Sequence, residues 1–207
     1  IGQIRIGVTA SKTLLFLWLK KDLRLIKGNL GIDLAGGSMM NKKFFMTKKY
    51  ICVDLDEKKL KRGNNNFPDA LAINDKIENF IETYNQEKPD LLICIQTMGI
   101  NNKFNHSHTL VVIEMIYNLL KPGGSMIFNV GNFGVNLSLI EKELNKSFIS
   151  KFRSIQIRSY GFMGKTIKKP NSYLNFFLAN LMNIFPPLRT CFGFNKTNIY
   201  CCFKKKL

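Results

Sequence analysis

The sequence predicts an α/β protein: a mostly parallel, seven-stranded sheet with helices on both faces and an antiparallel strand pair at the C-terminal end. Three observations predict it. Short apolar runs alternate with helical patterns over the first two thirds of the chain, the order that builds a parallel sheet. Two of those runs, Gly31–Leu34 and Tyr50–Asp54, carry acids at their ends, and Asp33 and Asp54 lie 21 residues apart. That spacing suits neighbouring parallel strands joined by a crossover, for which about 20 is expected. Finally, Ile155–Tyr160 and Ile199–Phe203 both read as strands, separated by an apolar helical segment, and fit a closing antiparallel pair.

Taken in order, Thr13–Lys27 reads as an amphipathic helix lying on the sheet. Its apolar part, Thr13–Leu19, has the hydrophobicity of a signal peptide, but Lys20, Lys21, Asp22 and Arg24 follow where a small-residue cleavage site belongs. Gly31–Leu34 is the first strand and Tyr50–Asp54 the second. Ala70–Ile73, announced by Phe67-Pro68-Asp69, is a short third strand. Ile77–Tyr84 places apolar residues at 77, 80, 81 and 84, a helical stripe. Pro89-Asp90 introduces the fourth strand, Leu91–Ile95. Thr109–Leu120 is a helix stopped by Lys121-Pro-Gly-Gly124, and Ser125–Val130 follows as the fifth strand.

At 207 residues the chain can bury one substantial core but is short for two, so residues 1–207 are expected to form one unit, with 161–196 as an apolar insertion or lid between the last two strands. No apolar run reaches the roughly 18 residues that span a bilayer. Cys201 and Cys202 are adjacent and have no histidine near them, which argues against zinc; no metal is expected, and the five cysteines read as thiols of a reducing cytoplasm. The net charge of +17 raises a nucleic-acid partner. The lysines are scattered, however, and general basicity alone gives only salt-sensitive, non-specific attraction, so this partner is not favoured.

The first strand's acid and the small residues after it let a backbone approach a ligand closely. An acid at the tip of the second strand can take two ribose hydroxyls. A nucleoside across adjacent strand tips is therefore the expected ligand. A nicotinamide dinucleotide fits less well, because its loop wants three spaced glycines and this one has a bare pair, Gly36-Gly37.

From Gly31 to Val130 the order of motifs resembles the class I, Rossmann-like S-adenosylmethionine-dependent methyltransferases. Their first strand ends in acid–x–Gly–x–Gly–x–Gly; here Asp33-Leu-Ala35-Gly-Gly37-Ser-Met39 keeps the middle glycine and replaces the outer two. Ala35 is a mild change if its backbone stays at negative φ, whereas Met39 departs further. Leu119-Leu-Lys-Pro-Gly-Gly124 is similar to the family's turn before its fifth strand, the most specific single match. The resemblance implies S-adenosylmethionine as cofactor, with Asp33, Ala35, Gly36 and Gly37 in the loop. It further implies Asp54 on the ribose hydroxyls, Leu55 on the adenine face, Asp75 and Lys76 near the adenine amino group, and Gln96 with Thr97 beside the methionine moiety.

The implied function is methyl transfer to a small-molecule, saccharide or lipid-linked acceptor. An RNA methyltransferase and a non-catalytic binding module of the same fold are the alternatives. No catalytic residue is assigned. His106 and His108 fit a helix-opening loop better than a base, and Asn129 and Asn132 could orient an acceptor or merely end a strand. In Ser172–Phe185 and the residues after it, Asn175, Asn180 and Asn183 occupy an arc of about 140° at helical pitch, leaving a broad apolar face flanked by Lys165, Lys168, Lys169 and Arg189. Residues 172–189 could therefore cover an acceptor or touch the inner face of a membrane from the cytoplasm, or pack on the sheet.

Overall fold

A computed structural model of the chain describes residues 9–100, 105–148, 150–161, 172–189 and 196–207. Lys165, Lys168 and Lys169 lie outside the described residues. The elements run α1 (Ala10–Leu25), β1 (Lys27–Leu34), β2 (Met46–Asp54), α2 (Glu57–Asn66), β3 (Leu71–Asn74), α3 (Ile77–Thr83), β4 (Leu91–Met98), α4 (His106–Leu119), β5 (Ser125–Gly131), α5 (Leu137–Phe148), β6 (Phe152–Gly161), α6 (Ser172–Ile184) and β7 (Lys196–Lys205). The sheet has seven strands in the order β3-β2-β1-β4-β5-β7-β6. β1 to β5 pair in parallel, and β7 runs antiparallel to both β5 and β6. The expected α/β architecture and its closing antiparallel pair are both present.

Two helices escape the sequence reading. In α2 only Leu60 and Gly63 are buried, and Gly-Asn-Asn-Asn is a poor helix former, so the segment has no apolar stripe to announce it. α5 buries Leu137, Ile140 and Leu144 at helical spacing, a period that the sequence does carry. The strands are also longer than expected, because β1 and β2 begin with exposed and half-exposed, mostly polar residues that carry no hydrophobic pattern.

Both faces of the sheet are covered. Along β4, Leu92 and Cys94 join Val112, Ile113 and Ile116 of α4 in one core, while Leu91, Ile93 and Ile95 face α1 on the other side. A central parallel strand buried on both faces reads as a continuous apolar run, which is how Leu91–Ile95 appears in the sequence. α3, α4 and α5 lie on the first face, α1, α2 and α6 on the second.

Asp90 locks the lower end of β4. Its Oδ2 accepts from the amides of Asn29 (2.7 Å) and Leu30 (3.0 Å), and its other oxygen pairs with Lys121 of the Lys-Pro-Gly-Gly turn. Burial opposes the charge, but Lys121 and the two amides hold the carboxyl below the usual range. A Cβ on Gly28 would lie 2.3 Å from the Asp90 carboxyl carbon, so the strand can pass there only as glycine. The Pro89-Asp90 and Lys121-Pro-Gly-Gly motifs are thus two halves of one joint.

Candidate active site

The strand order reverses between β1 and β4, and the crevice beyond the C-terminal strand ends at that point is where open α/β sheets take ligands. A cleft of about 1070 Å³ lies there, bordered by Ala35, Asp54, Leu55, Asp75, Lys76 and Gln96 among others. Six of the nine predicted cofactor residues therefore come together around one space. The other three, Asp33, Gly36 and Gly37, build the loop behind its wall.

The loop has an alternating backbone. Ala35 (φ 55°), Gly37 (φ 55°) and Met39 (φ 58°) are left-handed, at the three positions where the acid–x–Gly–x–Gly–x–Gly pattern has glycines. The condition under which Ala35 would be a mild change, a negative φ, is not met: the loop keeps the glycine geometry and lets Ala and Met carry it, at roughly 1–2 kcal/mol each. Met39 is anchored by packing. Its side chain is fully buried with Tyr50, Cys52 and Leu60, and lies so close to Gly63 of α2 that a Cβ there would be 2.7 Å from Met39 Cγ. Gly36 meets a steric demand instead, since a Cβ would sit 2.7 Å from both the Asp33 carboxyl carbon and Cys52 Sγ.

Asp33 is a buried brace. Its Oδ2 accepts from Tyr50 Oη (2.8 Å) and Asn41 Nδ2 (3.1 Å), tying the loop to β2. Burial, and then the Asp33 charge, push the Tyr50 hydroxyl well above its usual pKa, so it stays a donor. Asp33 is absent from the cleft's border, and its role there is to hold the loop's shape.

Asp54 stands at the tip of β2, half-buried. Oδ2 accepts from the Gly37 amide and Oδ1 from the Asp56 amide, both at 2.8 Å, and no ion pair with Lys58 forms. A carboxylate can accept about four hydrogen bonds. The two amides fix its plane and leave capacity for a diol. Leu55, 60% exposed, sits beside it as an apolar surface.

Across the cleft, Asp75 Oδ1 accepts from the Lys76 amide (2.7 Å) at the start of α3. Next to it, His108 Nε2 lies 2.7 Å from Glu78 Oε1, joining α4 to α3. His106 and His108 open α4, where Asn105 caps the helix by accepting from the His108 amide (2.9 Å). The helix-opening reading of these histidines fits, yet His108 also borders the cleft. Asp56, Lys59 and Glu78, which border it too, were missed; Asp56 caps α2 and pairs with Lys59 at 3.0 Å. Asp56-x-x-Lys59 after a strand tip was the available signal.

Gln96 divides this cleft from a second cavity. The pairing of β4 with β5 shifts register between Cys94 and Met98, and within that irregularity Gln96 adopts φ 63°. Its amide donates to Asn129 Oδ1 at 2.7 Å. Non-glycine residues held in this strained conformation cluster at ligand-binding and active sites. The second cavity, about 250 Å³, is bordered by Gln96, Ile100, Asn132, Phe133, Tyr160 and Lys12 among others. Gly99 (φ 60°) and Gly131 pass so closely that a Cβ on Gly99 would be 2.1 Å from the Gly131 carbonyl oxygen. Beneath lie the fully buried Asn129 and the 2%-exposed Tyr160, whose Nδ2 and Oη have no hydrogen-bond partner among the described residues. Burial drives the Tyr160 hydroxyl far above its usual pKa; the neighbouring Asn129 amide counteracts this slightly without reaching hydrogen-bond geometry.

Comparison with known structures agrees with this geometry. The fold is similar to that of the N-methyltransferase NodS from Bradyrhizobium japonicum WM9 (TM-score 0.62, 9% identity, 96% of this chain and 97% of that one). The chain has the methyltransferase fold. It is also similar to the plantazolicin methyltransferase BpumL in complex with a triazolic desmethylPZN analog and SAH (TM-score 0.60, 12% identity, 94% and 85%). An rRNA methylase from Streptococcus thermophilus is a third such structure (TM-score 0.54, 16% identity, 100% of both chains). No protein-family model and no curated protein sequence matches the chain.

Proposed function

We propose that this methyltransferase-fold chain is an S-adenosylmethionine-dependent methyltransferase acting on a small-molecule, saccharide or lipid-linked acceptor. The observation that carries the reading is Asp54: a carboxylate fixed by the Gly37 and Asp56 amides, with acceptor capacity to spare, at the edge of the cleft where the strand order reverses. The residues present fit the cofactor. Asp54 suits the ribose diol, Leu55 the adenine face, Asp75 and Lys76 the adenine edge, and the Ala35–Gly37 backbone and Gln96 the methionine end.

When bound, S-adenosylmethionine supplies an electrophilic methyl group. The protein's work is then alignment and exclusion of water, effects worth on the order of 7–11 kcal/mol. Gln96, sharing the walls of both cavities, stands where a methyl group must pass, and Asn129 fixes its backbone. Asn132 and Tyr160, which border the second cavity, offer the acceptor hydrogen bonds from the far side. Neither carboxylate nor imidazole borders the second cavity among the described residues, and Tyr160 is too reluctant to ionise to serve as a base. This favours an attacking atom that needs no strong base, such as a neutral amine nitrogen.

Calorimetry with S-adenosylmethionine, followed by a labelled-methyl screen of fractionated cell extract, tests the reading. Cofactor binding with label in the small-molecule or lipid fraction is the expected result. No measurable cofactor binding would instead make the chain a non-catalytic module. An RNA acceptor is the second reading, motivated by the net charge of +17. Label in the RNA fraction, with a steep fall in RNA affinity as salt rises, would establish it over the first.

A further inference from the structure

We infer that the outer face of the α1–α6 layer is a docking surface for an anionic lipid bilayer. This inference is independent of the methyl-transfer reading. α6 is apolar on two opposite sides. One side buries Ala179 and Met182 against α1, where Trp18 Nε1 donates to Asn183 Oδ1 at 2.8 Å. The other leaves Tyr173 (86% exposed), Phe177 (63%) and Ile184 (68%) in line at helical spacing, with Phe185 (54%) just beyond. A surface helix ordinarily turns polar residues outward, and a row of large apolar side chains in water marks an interaction site.

The charge around it selects the partner. From residue 144 to the end, the chain carries 12 lysines and arginines and no aspartate or glutamate. On α1, beside α6, the only acid is Asp22, which is buried and engaged by Tyr200 Oη (2.7 Å) and Arg158 (3.4 Å). Lys21 and Arg24 of α1 are exposed on the same side of the sheet. Burial first, and then the nearby charges of Arg24 and Lys43, lower the pKa of Lys20, as expected where positive groups crowd together. Aromatic and aliphatic side chains in a row, beside cations with no exposed acid on α1 or α6, match the interfacial zone of a bilayer rich in anionic headgroups. A base-stacking groove would need recessed aromatics, and these project.

The test is sedimentation of the full chain with vesicles of phosphatidylcholine alone and of phosphatidylcholine mixed equally with phosphatidylglycerol. Binding to the mixed vesicles only is expected, weakening as salt is raised. The double variant Phe177→Ser/Ile184→Ser should lower the partition coefficient by roughly tenfold or more, and Lys21→Glu/Arg24→Glu should lower it too. Because all four side chains are exposed, melting temperature and S-adenosylmethionine affinity should stay unchanged, which separates loss of docking from misfolding. Equal binding to neutral vesicles, no binding to either, or binding that survives both double variants would overturn the inference. Retention of tRNA without retention of vesicles would overturn it as well, giving the surface to nucleic acid.

Discussion

Ala35 shows how a single residue can keep a loop's shape while departing from its usual composition. A left-handed alanine is strained, and glycine would relieve that strain at the expense of a more flexible unfolded chain. Ala35→Gly should therefore raise stability by about 0.5–1 kcal/mol in urea titration, whereas Ala35→Val should lower it. Asp54→Ala should weaken S-adenosylmethionine binding by roughly 1–3 kcal/mol by calorimetry, the scale of a lost charged acceptor; unchanged affinity in a folded variant would remove Asp54 from the site. Asn129→Leu strands the Gln96 amide and should cost about 1–3 kcal/mol of stability. Asp54 was legible because an acid at a strand tip follows from pattern alone. Asn129 read only as a candidate, since its partner lies 33 residues away on another strand.

Among the elements, the β1–β4 joint decides how the site is presented, because Asp90 fixes where both strands begin and hence where their tips end. Asp90→Ala should destabilise the fold by about 1–3 kcal/mol or more, as the buried Leu30 amide, the part-buried Asn29 amide and Lys121 lose their acceptor. The sign of its pH dependence follows from the lowered carboxyl pKa. The contribution is complete above the unfolded value near 3.9 and disappears as pH falls through the lower folded value. Acid unfolding curves of the wild type and Asp90→Asn should therefore converge at low pH. The sequence marked Pro89-Asp90 and Lys121-Pro-Gly-Gly as separate turn signals. Their union needs the parallel pairing of β4 with β5, which periodicity does not encode. α2 was illegible for a different reason: with one large buried side chain, Leu60, it has almost no hydrophobic period to read.

For the molecule as a whole, buried phenols and thiols set a limit at alkaline pH. Burial raises Cys94 and Cys202 to about 12, and drives Tyr50, Tyr160 and Tyr200 upward as well. Below the unfolded values, near 8.5 for thiols and 10 for phenols, both states hold these protons and stability is flat. Above them the unfolded chain releases protons that the folded one retains, so stability falls as pH climbs. Urea midpoints should hold steady to about pH 8 and then decline through pH 11, with Tyr200→Phe flattening the phenolic part.

By itself the sequence determined the five parallel strands, the closing antiparallel pair and the acids at the strand tips, because each is written in local pattern: apolar period, turn residues and carboxylates ending apolar runs. Tertiary structure alone decided that Asp33 braces rather than borders the cleft, and that Ala35 and Met39 hold glycine geometry. It also placed Gln96 between two cavities. Those outcomes depend on what packs behind each residue, and packing partners distant in the chain leave no mark on the local pattern.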